Sequence, residues 1–282
     1  MKISVNKFLL VIILPVLLSS GELCAQDYIK EQYDYSKELF KSEQYFDAIT
    51  ELKRLLFFDK SGAYNFEANY LIAQSYKSGA RLNDAVKYFT ISQMYARNDS
   101  LLFQAKLEVV KCNILRHTAG QSLNLLNQLE RDEHFSNMQR EIIYWKGWSY
   151  MFMDMWDEAS LQFGKISDNH PLKELSDKVV KDKYSVSFAK VISYILPGSG
   201  QIYTGEYLSG LMSLGWAGLF GCLSAESFVA DRVFDGFINS GLFLRFHHGN
   251  IQNAEKFAVE KNKRISDKAL IYVQYNYKGP KP

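Results

Sequence analysis

Residues 144–171, YWKGWSYMFMDMWDEASLQFGKISDNHP, decide how this chain is read. Two apolar stretches of helical period flank Met153, Asp154 and Met155. Small residues stand at Gly147 and Ala159, large ones at Tyr150, Trp156 and Phe163, and Pro171 closes the stretch. Antiparallel helices approach closely where small residues meet at a crossing, and bulky side chains fill the groove around it. One such pair cannot bury its apolar face alone, so further copies are expected.

The copies lie upstream. Ala48, Ala85, Ser122 and Ala159 follow one another at a constant step of 37. Ser36, Ala73, Val110 and Gly147 precede them in the same register, and Leu52, Phe89, Leu126 and Phe163 follow. Leu39, Tyr76, Asn113 and Tyr150 belong to the first helix of each pair, and Tyr45, Leu82, Ala119 and Trp156 open the second. The third copy departs, because Asn113 and Ala119 replace large residues.

On these positions the segment 29–171 resembles the tetratricopeptide repeat family, with Gly147, Tyr150, Trp156, Ala159, Phe163 and Pro171 at the family's spacing. The family period is about 34, so the extra residues are assigned to loops such as 59–64. The resemblance implies an all-α chain whose four or so helix pairs stack into an α-solenoid and line a concave groove for a peptide or protein partner. By register the groove positions are Tyr33, Lys37, Phe40, Tyr70, Gln74, Lys111, Tyr144, Trp148 and Met151. Aromatic anchors of this kind commonly dominate binding energy. Packing against the neighbouring copy is the competing role for each.

Composition bounds the rest. Forty-seven per cent hydrophobic and 15% aromatic residues supply ample apolar surface to offset the entropy of ordering. A net charge of +2 does not point to a nucleic-acid partner. Lys2 and Lys7, the uncharged run 8–18 and Leu23-Cys24-Ala25 follow the order of an export signal cleaved after Ala25. A lipobox would want a small residue where Leu23 stands. Cleavage would leave Cys112 and Cys222, too far apart in sequence to suggest a disulfide framework and expected as two buried thiols.

Residues 172–196 are read as a capping or connecting helix. Pro197, Gly198 and Gly200 then end it, and LPGSGQIYTGEYLSGL (196–211) begins a glycine-rich segment, 197–249. Gly200 and Gly205 have phosphate-loop spacing, but Glu206 and Tyr207 stand where a lysine and a hydroxyl are required. Between Glu206 and Glu226 lie nineteen uncharged residues, roughly 28 Å as a helix and close to the hydrocarbon thickness. Gly215, Gly218 and Gly221 suggest a face for close packing. The poorer stretch 233–246, with Asp235, Asn239 and Arg245, reads as a returning arm.

Pro197, Gly198, Gly200, Gln201, Tyr203 and Gly205 form P-G-x-G-Q-x-Y-x-G, and Gly249, Asn250, Ile251 and Ala254 follow downstream. Together they resemble a small bacterial membrane module related to the two-transmembrane-helix domains, spanning about 186–262. The resemblance implies a turn at the membrane surface and two tightly packed short helices, often placed after tetratricopeptide repeats in exported envelope proteins. The tail 250–282 is charged and amphipathic, with ALIYVQYNYKGP (269–280) alternating like a short strand.

No chemistry is signalled. His117, His134, His170, His247 and His248 lack zinc-ligand spacing, and adjacent histidines on a helix diverge by about 100°. No nucleophile elbow occurs, and Asp157-Glu158 suit a helix start. The expectation is a non-enzymatic adaptor with no cofactor or metal. It would sit in the inner membrane with its repeats in the periplasm, holding protein partners through the groove and touching lipid but no nucleic acid. The alternative is a component of a translocation, insertion or transport assembly, with Asp235 and Arg245 on a polar path.

Overall fold

The computed structural model describes residues 28–282; the export signal read at 1–25 lies outside the described residues. Among these residues the regular structure is helical throughout, and the chain forms two compact units, divided after Asp168.

The first unit pairs consecutive helices: α1 (28–41) with α2 (Tyr45–Phe58), α3 (Asn65–Ser78) with α4 (Leu82–Gln93), α5 (Asp99–Leu115) with α6 (Ala119–Arg131), and α7 (Gln139–Phe152) with α8 (Trp156–Ile166). The step of 37 is visible in the packing. Ser36, Ala73 and Val110, Ala48, Ala85, Ser122 and Ala159, and Leu52, Phe89, Leu126 and Phe163 are all fully buried. Two crossings show why size matters there. A Cβ on Gly147 would stand 2.6 Å from the Phe163 ring, and Ser122 Oγ donates across its pair to the Val110 carbonyl at 3.0 Å.

The same turn closes every pair. Glu43, Ala80, His117 and Asp154 hold left-handed backbone, with φ between 58° and 62°. The next residue's N–H bonds back to the column of first-helix residues: Gln44 to Leu39, Arg81 to Tyr76, Thr118 to Asn113 and Met155 to Tyr150, at 2.8–3.0 Å. Left-handed stops of this kind satisfy carbonyls left over at a helix end. Asn113 keeps this backbone bond and adds a side-chain one, its amide oxygen accepting from Thr118 Oγ1 at 3.2 Å. Bulk near the third pair comes from Phe103 and from Phe135 on a short 3-10 helix, Glu133–Met138, with ring centroids 5.5 Å apart.

The second unit is built along one helix. It contains α9 (Pro171–Asp182), α10 (Val186–Ile195), α11 (Ser199–Tyr203), α12 (Tyr207–Val229) and α13 (Val233–Asn276). The 44 residues of α13 make it roughly 66 Å long. Close pairs such as Ser224–Ser240 and Phe220–Phe246 place α12 antiparallel to its first part. Ser193–Asn250 and Tyr184–Asn262 set α10 and the break before it along the middle, and α9 packs on the last part.

Two expectations are corrected here. Residues 172–196 are two helices, because Asn262 takes both the N–H and the carbonyl of Tyr184 (2.7 and 2.8 Å) and Ser185 caps α10 at the Phe188 N–H. Residues 269–276, expected as strand, are helix. Ile251, Ala254, Ala258, Ser266, Ala269 and Val273 form one buried stripe of helical period, and that stripe overrides the local alternation.

Candidate functional site

The inner-face candidates of the first unit divide into two groups. Tyr33, Lys37, Phe40, Tyr70, Gln74 and Lys111 are half-buried, with side chains in reach of solvent. Tyr33 rests against Tyr64 at 4.8 Å with the Lys37 ammonium 5.4 Å from its ring, and burial, then the Glu67 carboxylate, pushes its hydroxyl up to about 12. Phe40 meets Tyr45 at 5.6 Å. Tyr144, Trp148 and Met151, expected in the groove, are instead core, at 9%, 3% and 1% exposure. The reason is local: α5, α6, α8 and the 3-10 segment all pack on α7, so it has no free face wide enough to show aromatic side chains.

Where α3 meets α5 the side chains converge. Tyr70, Gln74 and Lys77 descend α3 at helical spacing, and Gln104, Glu108 and Lys111 descend α5. Glu108 accepts from Lys77 at 2.9 Å and from Lys111 at 2.6 Å, and Lys111 sits 4.8 Å from the Trp145 ring centroid. Burial opposes the charge on Glu108, but the two ammonium groups outweigh it and hold the carboxyl below its ordinary range. Burial raises the Tyr70 hydroxyl, the nearby Glu108 charge adds to this, and hydrogen bonds from Gln104 and Gln74 oppose it. Two cations share one carboxylate, so this patch carries a net positive charge beside polar amides. The sequence names only part of it. Lys77, Gln104, Glu108 and Trp145 are found only once the helices are laid side by side.

In the second unit the quoted motif and the downstream Gly-Asn-Ile element meet. Gln201 is fully buried and donates to the Asn250 carbonyl (3.1 Å), to Asn250 Oδ1 (2.9 Å) and to Ser213 Oγ (3.2 Å). Asn250 Oδ1 also accepts from the Gly198 N–H at 2.7 Å, and its Nδ2 donates to the Ser193 carbonyl at 3.0 Å. Gly198, at φ 90°, has the Gly210 carbonyl oxygen 2.1 Å from where a Cβ would lie. At Gly200 the Ala189 carbonyl stands at 2.3 Å and the Ala254 methyl at 2.7 Å. Tyr203 takes the Ser185 N–H at 3.2 Å and wedges its ring between Tyr184 and Phe188. Gly205 supplies another left-handed stop, and Pro197 leads into the turn half-buried. The motif is thus a structural joint. Its partner Ser193 went unmarked in the sequence, being an ordinary residue whose importance depends on what it touches.

Beyond the joint, α12 and the start of α13 form a hairpin whose polar side chains turn inward. Ser224 and Ser240 lie 2.5 Å apart, and Asn239 donates to Ser227 at 3.2 Å. Outward stand Leu208, Leu211, Met212, Trp216, Phe234 and Phe237, each at least 43% exposed. Of the three glycines expected to pack, only Gly221 meets α13, at Phe243; Gly215 and Gly218 face open space. Cys222 is exposed, not buried, whereas burial raises the Cys112 thiol to about 11. Among the described residues α12 is the one helix long and apolar enough to cross a membrane, and only 11% of its apolar window is buried. Asp235 and Arg245 are both exposed and do not converge on a path; Asp235 faces Arg232 at 3.6 Å.

No cluster of three or more histidine, cysteine or carboxylate groups that could hold a metal ion occurs among the described residues. Comparison of the chain with protein-family models, with curated proteins and with solved structures gives no match.

Proposed function

We propose that this chain is a membrane-tethered adaptor of the tetratricopeptide-repeat type: an α-solenoid holds protein partners in the cell envelope, and the glycine-rich hairpin moors it to the inner membrane with the repeats in the periplasm. The observation that carries the reading is the inverted polarity of the hairpin. Its serines and asparagine face inward while leucine, methionine and aromatic side chains face out, an arrangement favourable in lipid and costly in water. Tethering raises the effective concentration of whatever the repeats hold. The positive patch of Lys77 and Lys111 beside Tyr70, Gln74 and Gln104 is the favoured contact region. No catalytic step is assigned.

Alkaline carbonate washing of membranes tests the tether: the full chain stays in the pellet, and its release would overturn the membrane reading. Crosslinked capture from intact cells tests the patch. Lys77→Glu with Lys111→Glu is expected to lose partners that the native chain retains, and unchanged capture would remove the patch from the proposal.

A further inference from the structure

Arg245 is the unpaired arginine of the hairpin. The other arginine there, Arg232, lies 3.8 Å from Glu226 and 3.6 Å from Asp235 at the tip. Arg245 is exposed and makes no ion pair among the described residues, and its neighbour Leu244 is 63% exposed. The stacked rings of Phe220, Trp216 and Phe246 fix its level, with Phe246 5.2 and 5.5 Å from the other two. That places it about 15 Å along α13 from Asp235, inside the stretch that the uncharged run of α12 covers.

A lone guanidinium in hydrocarbon is expensive unless it reaches a polar partner. Side chains on a helix lean toward its N-terminus, which for α13 is the tip side of the hairpin. One turn along in that direction stands Gly241, where nothing lies within 4 Å of the Cβ position. The helix surface one turn from Arg245 toward the tip is therefore bare. Glu226 and Asp235 are turned to Arg232, at 3.8 and 3.6 Å, which leaves Arg245 without a carboxylate partner among the described residues.

On the membrane reading given above, we infer that Arg245 and the open step at Gly241 form a docking site for the phosphodiester of an anionic phospholipid. The guanidinium presents paired donors to two phosphate oxygens, and the headgroup is drawn down onto the bare helix at Gly241. An anionic headgroup is preferred to a zwitterionic one because it brings no cation of its own against the arginine.

Trp216 reports on the site, because it stacks on Phe246 beside Arg245 while Trp145, Trp148 and Trp156 are buried in the first unit. The full chain is reconstituted into phosphatidylcholine vesicles with a minority of phosphatidylglycerol, and bromines are placed on the chains of one lipid or the other. Bromines on phosphatidylglycerol are expected to quench Trp216 as though that lipid were enriched about five-fold at the helix, the effect of one cation near a membrane surface. Arg245→Gln and, separately, Gly241→Leu reduce quenching to the lipid's share of the bilayer. Quenching by wild type that merely follows that share overturns the inference, as does quenching indifferent to both substitutions. Flotation with the vesicles but no quenching by either lipid would mean that a second copy covers this face, and would also overturn it. Failure to float at all would instead remove the membrane reading.

Discussion

The two units solve the same problem with opposite materials. Both pack antiparallel helices across close crossings. In the first, a small residue meets a large one, as Gly147 meets Phe163, so the interior is apolar bulk. In the second, small meets small, as Gly198 meets Gly210, and the space that bulk would fill holds Gln201, Asn250 and serines bonded to backbone. Bulk inside suits a unit whose outside is wet. Backbone contact and hydrogen bonds inside suit the α12–α13 hairpin, whose outside is apolar and for which more apolar bulk inside would gain little in lipid.

The strongest way to break the comparison is at Gly198. Gly198→Val puts a side chain into the Gly210 carbonyl and a branched residue at φ 90°, and is expected to cost more than about 4 kcal/mol and unfold the second unit alone. Limited proteolysis would show fragments from that half while the repeats persist. Phe163→Ala is the converse, about 3 to 4 kcal/mol lost from the first unit through the cavity it leaves. Thermal unfolding followed through the buried tryptophans reads it. If Phe163→Ala leaves their transition in place, the unit does not rely on bulk.

Finer tests sharpen the picture. Glu108 has a folded pKa below its unfolded one, so its contribution is present above the ordinary carboxylate range and is lost as pH falls through the lowered value. Stability of the first unit should drop on acidification, and Glu108→Gln should flatten that slope. A slope unchanged in the variant would mean that the two lysines do not act through this carboxylate. Smallest of all, Ala80→Gly relieves an exposed left-handed alanine and is expected to raise stability by about 0.5 to 1 kcal/mol. A melting temperature at or below wild type would count against strain at that turn.

These contrasts also mark what the sequence could disclose. The step of 37 was legible because a crossing admits few residue types, and each copy repeats the constraint. Gly198, Gln201 and Asn250 were legible as a pattern, although their mutual hydrogen bonds join residues about fifty positions apart and leave no local period. Trp148 and Met151 misled because register gives the direction a side chain faces within its pair, not whether further helices close over it. The strand expected at 269–276 failed for a related reason, since alternation over a few residues yielded to a buried stripe running from Ile251 to Val273.

The length of α13 has a mechanical consequence. At roughly 66 Å it is about twice the ~30 Å hydrocarbon depth, and α9 and α10 brace the part beyond the hairpin. A moored chain would thus carry a stiff mast, its far end held at a set height and not left to swing on a slack leash. Each turn of that helix sets the height by about 5.4 Å.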